Sequence, residues 1–133
     1  TFSQSVRMIL MLGWLTAARL GCIRQLKSED FNFNPGSKQM DITFRRGKGV
    51  RARKSHYTVT TLIPASQWWE EITTYVASKP AFLFPKTIPD THITRPLRTA
   101  GLEQRSIRRG ALQAMAALGT SPAVLISRAT FPR

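Results

Sequence analysis

The chain has 133 residues, with 20 Lys and Arg against 7 Asp and Glu, so its formal net charge is +13. This excess of cations favours a polyanionic partner, and nucleic acid is the first candidate. Because 42% of the residues are hydrophobic, the chain can bury a core. A single domain spanning residues 1–133 is therefore predicted rather than a disordered basic tail.

The N-terminal segment predicts two helices. Between residues 3 and 26 apolar side chains recur at helical spacing, and this pattern is interrupted near residues 16–20. We therefore expect Arg19 to lie at a break between the helices. The apolar run at residues 8–15 is too short to cross a bilayer, so a buried helix is expected there and no membrane partner.

Three short segments predict an antiparallel sheet, at residues 31–33, 40–44 and 57–63. Between the second and the third, two glycines permit a tight reversal. Six cations also fall there, at Arg45, Arg46, Lys48, Arg51, Arg53 and Lys54. Because charges of one sign repel one another, we predict a basic hairpin tip that faces phosphates, with a solvated loop as the alternative.

The chain after the sheet predicts a helix and a connector. The helix is expected to begin near Ser66, capped by its hydroxyl, with Glu70 and Glu71 in the first turn. It is expected to end at Pro80. Two prolines between residues 82 and 90, with Pro80 just before them, then indicate a connector without regular structure.

The C-terminal third is again predicted to be helical, over residues 93–100, 106–118 and 121–126. Gly101 and Gly119 are the expected stops of the first two helices. Together the elements predict an α+β fold that is mainly helical, with a small three-stranded antiparallel sheet.

Residues that hold metals or form disulfides are sparse. The one cysteine, Cys22, excludes an internal disulfide and fits a reducing compartment, either the nucleus or, if the source is prokaryotic, the cytoplasm. His56 and His92 have no cysteine pair or carboxylates near them in sequence, so no metal site is predicted.

Arg19 and Arg108 are the main candidate site residues. Both are predicted to lie on apolar helical segments. A half-buried guanidinium group there is energetically costly unless it pairs with an anion. A phosphodiester matches the planar arrangement of the guanidinium N–H donors. For Arg19 the alternative is a structural cation that satisfies carbonyl groups at a helix end. Arg109 either contacts a phosphate or extends to solvent.

The order of these elements resembles the catalytic domain of the tyrosine recombinase (phage integrase) family. Around its first arginine that family has the pattern T-G-x-R-[IL]-x-E-x-x-x-L followed by Asp. Residues 16–26 with Asp30 resemble it, keeping Arg19, while Ala17 and Cys22 replace the usual Gly and Glu.

Two further motifs extend the resemblance. The family's hairpin pattern G-K-G-x-K-x-R is similar to residues 47–53, with Lys48 as the matching lysine and Arg51 in place of the second one. Around the second arginine, retroelement-type members have H-S-L-R-R-G. Residues 105–110 resemble this pattern, with Arg105 at the position of the His and Arg108 as the second arginine.

The resemblance implies chemistry without a metal or cofactor, on double-stranded DNA, and it is compatible with homo-oligomers on that DNA. In the family a tyrosine attacks the scissile phosphate while two arginines stabilise the transition state. Arg19 and Arg108 would be those arginines, and Lys48 would protonate the leaving 5′ oxygen. Arg105 can contact phosphate but cannot act as a base. The other hairpin cations and Arg109 would bind DNA.

Two departures from the family define what is expected of this chain. The family's third His or Trp should fall near residues 127–131, where Arg128-Ala129-Thr130 stands instead, and neither Tyr57 nor Tyr75 is at the position of the nucleophile. We therefore expect a core truncated before its nucleophile, of mobile-element origin, that binds DNA without cleaving it. The alternatives are a basic RNA- or DNA-binding module without enzymatic ancestry and a decayed copy.

Overall fold

A computed structural model of the protein describes residues 3–63, 65–99, 101 and 104–117, and at positions 48, 49, 52, 104–106 and 115–117 it describes the backbone alone. The helices are α1 (Ser3–Thr16), α2 (Leu20–Ile23), α3 (Lys48–Arg53), α4 (Ser66–Ala77), α5 (Asp90–Thr99) and α6 (Gln104–Ala117). The strands are β1 (Phe31–Asn34), β2 (Gln39–Phe44) and β3 (Tyr57–Leu62). This mixture of helices and strands confirms the predicted α+β class.

The strands form an antiparallel sheet in the order β1, β2, β3. Its register pairs Phe31 with Ile42 and Phe44 with Tyr57. Along β2, Met40, Ile42 and Phe44 are buried while the residues between them are partly exposed. This alternation is expected of an antiparallel sheet that packs one face on the core, and the predicted strand segments are confirmed.

The predicted break between the first two helices is confirmed and is made by a tight reversal at Ala17. The Thr16 hydroxyl donates to the carbonyl of Leu12 (2.7 Å) and accepts from the amide of Ala18 (3.1 Å). Ala17 is fully buried and has φ +57°, the left-handed region that glycine adopts most easily. Arg19 follows in an extended conformation as the residue that precedes α2.

Close packing of α6 on α1 positions the C-terminal part of the described chain. A Cβ atom at Gly13 would lie 2.8 Å from the Leu20 side chain and 3.3 Å from that of Ile107, and one at Gly110 would lie 3.0 Å from the Trp14 ring. Neither glycine therefore tolerates a side chain without displacement of its neighbours. Since α6 is seated on α1 through these two glycines, Arg108 is held near the α1–α2 turn.

The segment between β2 and β3 differs from the prediction. Instead of a tight hairpin tip, it contains α3, which begins after Gly47 (φ +102°) and ends at Lys54 (φ +56°). The two positive φ values bend the chain into and out of this helix, so the reversal takes a helical turn rather than two glycines alone.

Other predictions for the second half of the chain have mixed outcomes. α4 does begin at Ser66, but Ser66 is the first helical residue, so its hydroxyl does not cap the helix, and Glu70 and Glu71 lie beyond the first turn. Gly101 ends α5 as predicted, with φ +76° and an amide that donates to the Arg98 carbonyl (2.9 Å). The predicted stop at Gly119 and the helix over 121–126 lie outside the described residues.

The core joins α1, α2, the sheet, α4 and the connector that follows it. Its largest fully buried side chains include Met8, Leu12, Phe44, Ile72 and Phe84. None of the helices in the described part of the chain is long and apolar enough to cross a membrane.

Candidate phosphate-binding site

Arg19 and Arg108 lie close together in the structure. Their chain neighbours Leu20 and Ile107 both contact Gly13, so the α1–α2 turn and the middle of α6 meet there. Burial lowers the pKa of Arg108, and the positive charge of Arg19 lowers it further. The two guanidinium groups are therefore within electrostatic range of each other.

Arg53 joins this pair from the end of α3. The charge of Arg53 is a further cause of the lowered pKa of Arg108, although a smaller one than burial or Arg19. Its guanidinium carbon lies 4.0 Å from the centroid of the Tyr57 ring, a cation–π contact. We call Arg19, Arg53 and Arg108 the arginine cluster.

Tyr57, the first residue of β3, lies within the arginine cluster. Its ring stacks on Phe44 at a centroid distance of 5.1 Å. Burial raises the pKa of the Tyr57 phenol, the neighbouring Cys22 adds to the rise, and the charges of Arg53, Arg108 and Arg19 oppose it. All members of the cluster therefore act on this one phenol.

Cys22 is the buried neighbour of the cluster on α2. A Cβ atom at Gly47 would lie 2.8 Å from its sulfur, so the start of α3 packs directly on α2 at this point. The small thiol takes the place of the longer Glu that the recombinase pattern has there, and it lets the basic segment approach α2 closely. No group of metal-binding side chains occurs among the described residues.

Two cations of the basic segment bind a carboxylate of the protein itself. The buried side chain of Asp30 accepts from Arg45 Nε (2.9 Å), from Arg46 Nη1 (3.3 Å) and from the backbone amide of Lys27 (3.0 Å). Arg46 Nη1 also donates to the Gln25 carbonyl (3.2 Å). We call Asp30, Arg45 and Arg46 the Asp30 centre, and it anchors the start of the basic segment to the fold.

The remaining predicted site residues lie on α3, directly after it, and on α6. Arg51 and Lys54 are exposed on and after α3, and Arg109 is exposed on α6. Lys48 is the first residue of α3 and Arg105 lies in the first turn of α6. The structure thus brings Arg19, Arg53 and Arg108 together and leaves Arg51, Lys54 and Arg109 open to solvent.

Sequence reasoning missed Tyr57 and the role of Asp30. The sequence gives Tyr57 no role because it is not at the position of the family's nucleophile. Its pairing with Phe44 across the sheet nevertheless places it beside Arg53. Asp30 was recognised only as part of a motif. The chain has only 7 Asp and Glu. Once the structure shows that one of them, Asp30, is buried, its carboxylate is expected to neutralise cations.

Comparison of the chain with protein-family models, with curated proteins and with solved structures finds no match. The geometry of the cluster and the motifs around it therefore carry the functional argument.

Proposed function

We propose that this chain binds double-stranded DNA by holding a backbone phosphate between Arg19 and Arg108 of the arginine cluster, in the manner of the tyrosine recombinase catalytic core that its motifs resemble. The observation that carries the proposal is the half-buried pair formed by Arg19, which directly precedes α2, and Arg108, which lies on α6. Their like charges are in electrostatic range. Their repulsion opposes folding, and a phosphate bound by both would turn it into attraction.

The backbone at Ala17 supports the resemblance independently of charge. Ala17 stands where the recombinase pattern has glycine, and its φ of +57° is a conformation that glycine favours. The turn before Arg19 therefore has a backbone conformation that the usual glycine of the motif would adopt easily, although this chain has alanine at that position.

Strand cleavage is not part of the proposal for this chain. Tyr57 belongs to a strand and stacks on Phe44, and Tyr75 donates from its hydroxyl to the Leu83 carbonyl (2.8 Å). Both rings are fixed in the fold by these contacts. We expect DNA binding without relaxation of a supercoiled plasmid.

The rival proposal is a generic basic module that binds nucleic acid through exposed cations. The Asp30 centre weakens it, because Arg45 and Arg46 already share a buried carboxylate. The generic module would have to rely on exposed residues such as Arg51, Lys54 and Arg109. The generic module therefore predicts that equally exposed cations anywhere on the surface contribute equally to the affinity for nucleic acid.

A charge-matched pair of double variants separates the two proposals. Arg19→Gln with Arg108→Gln removes two charges from the cluster, and Arg95→Gln with Arg98→Gln removes two exposed charges from α5. Duplex affinity, measured by fluorescence anisotropy at one salt concentration, should fall about 100-fold for the first pair and about threefold or less for the second.

Salt dependence and folding complete this experiment. Loss of one phosphate contact should reduce the slope of log affinity against log salt by roughly 0.9 in the cluster variant. Circular dichroism melts must show that both variants are folded. Equal losses of affinity in the two folded double variants would overturn the proposal and favour the generic module.

A further inference from the structure

Tyr57 is the tyrosine that lies beside the arginine cluster in the described part of the chain. Its ring contacts the Arg53 guanidinium (4.0 Å to the ring centroid) and stacks on the Phe44 ring (5.1 Å between centroids). Both contacts hold the aromatic ring, so the ring is fixed in position. The hydroxyl projects from the edge of the ring, so neither contact uses its hydrogen-bonding atom.

The chain's other tyrosine is held in a different way. The Tyr75 hydroxyl donates to the Leu83 carbonyl (2.8 Å) and lies 3.0 Å from the Ser5 hydroxyl. Its polar atom is therefore used to join α4 to its neighbours. Tyr57 is positioned through its ring, with cationic groups acting on its phenol. The two tyrosines form a natural pair of test residue and control.

A phosphate bound by several guanidinium groups still has oxygen lone pairs to satisfy. A phenol is a neutral donor, so it can complete the hydrogen bonds to such an anion without adding to the repulsion among the arginines. A fourth cation in the same place would increase that repulsion. A phenol has an ordinary pKa of 10.0 and is therefore protonated at neutral pH, and burial raises the pKa of Tyr57 further, so the donor hydrogen is present.

We infer that the Tyr57 hydroxyl donates a hydrogen bond to the phosphate held by Arg19 and Arg108, and that Arg53 fixes the ring in the orientation this bond requires. The inference rests on the proposed function and adds a residue to it. Tyr57 is a binding residue here, and no covalent bond to it forms. Arg53 is a positioning residue that acts through the Tyr57 ring.

The test compares Tyr57→Phe with Tyr75→Phe in duplex binding. Each variant removes one hydroxyl and retains its ring, so the stacking on Phe44 and Arg53 is retained in the first. We expect Tyr57→Phe to weaken binding about tenfold. Tyr75→Phe should bind as the unaltered chain does, even if its melting temperature falls because the bond to Leu83 is lost.

A spectroscopic measurement on the unaltered chain makes the test independent of variant folding. The chain has 2 tyrosines, so labelling with ¹³Cζ-tyrosine gives two resonances, assigned with the two Phe variants. Addition of a short duplex at neutral pH should shift the Tyr57 resonance and leave that of Tyr75 in place. Inorganic phosphate at millimolar concentration should shift the same resonance in the same direction.

The outcomes separate this inference from the proposed function. If Tyr57→Phe binds DNA as tightly as Tyr75→Phe and the Tyr57 resonance does not move, while the Arg19 and Arg108 double variant still loses binding, the inference fails and the proposed function stands. If the double variant also binds normally, both fail. A tenfold loss confined to Tyr57→Phe, with the shift of its resonance, supports the inference.

Discussion

Two groups of arginines in this molecule are arranged in opposite ways. In the Asp30 centre, Arg45 and Arg46 bind a carboxylate whose side chain is 0% exposed. In the arginine cluster, Arg19, Arg53 and Arg108 come from three separate segments, and the charges of Arg19 and Arg53 lower the pKa of the half-buried Arg108. The first arrangement stabilises the fold in itself, whereas the second is suited to an anion from outside.

This difference separates the cations of the proposed binding site from the others in a highly basic chain. Sequence alone singles out Lys48 by its motif and ranks the other five cations of residues 45–54 together. The structure divides them, because Asp30 neutralises the first two while Arg53 reaches the cluster. We therefore expect DNA binding to depend on the arginines whose like charges lie close together in the fold, rather than on the densest run of cations in the sequence.

The largest expected effect is on stability, from Asp30→Asn. This change leaves Arg45 and Arg46 without their buried carboxylate, and breaking such pairs is strongly destabilising. We expect the free energy of unfolding in urea to fall by about 2–3 kcal/mol, toward the low end for buried pairs because both guanidinium groups reach solvent. Glu71→Gln is the control, since Glu71 pairs with the well-exposed Arg7 and its loss should lower the free energy of unfolding far less. Equal losses would mean that the Asp30 centre is an ordinary surface pair.

The next effect is at Ala17, which orients Arg19. Ala17→Val puts a β-branched side chain at φ +57° in a fully buried position, and we expect a loss of about 2 kcal/mol from strain and overpacking. Ala17→Gly relieves the strain and should change stability by less than about 0.5 kcal/mol while retaining DNA affinity. A destabilising effect of Ala17→Gly as large as that of Ala17→Val would contradict the strained geometry of this turn.

Arg108→Met should have the opposite sign. It removes a half-buried charge that burial and Arg19 both disfavour while keeping an apolar side chain of similar length, so the free chain should gain stability. DNA affinity should fall in the same variant. Urea unfolding of the free chain measures its stability, and fluorescence anisotropy with a duplex measures its DNA affinity. A loss of stability in Arg108→Met would contradict the proposal that this charge opposes folding and serves binding.

Local pattern predicts most of the fold, because each correct prediction depends on residues near one another in sequence. The break at Arg19, the three strands and the stop at Gly101 all follow from spacing or from one glycine. The helix α3 was missed because two glycines around Lys48 indicate a tight turn, whereas the chain packs Gly47 closely on Cys22 and then forms a helix. Among the proposed site residues, the motifs name Arg19 and Arg108, whereas Tyr57 becomes visible only when the sheet pairs it with Phe44.

The smallest expected effect is on the pH dependence of stability. Burial raises the pKa of Tyr57 above its usual value of 10.0, so the folded state retains the phenol proton to higher pH than the unfolded state does. The stability that this phenol contributes is fully present below pH 10 and is lost as the pH rises through the raised pKa. Tyr57→Phe should therefore reduce the fall in stability above pH 10, measured by urea unfolding at stepped pH. Because burial also raises the pKa of Tyr75, part of the fall should remain in this variant and disappear only when Tyr75→Phe is added. An unchanged pH dependence in Tyr57→Phe would mean that the cluster arginines offset the burial of the phenol completely.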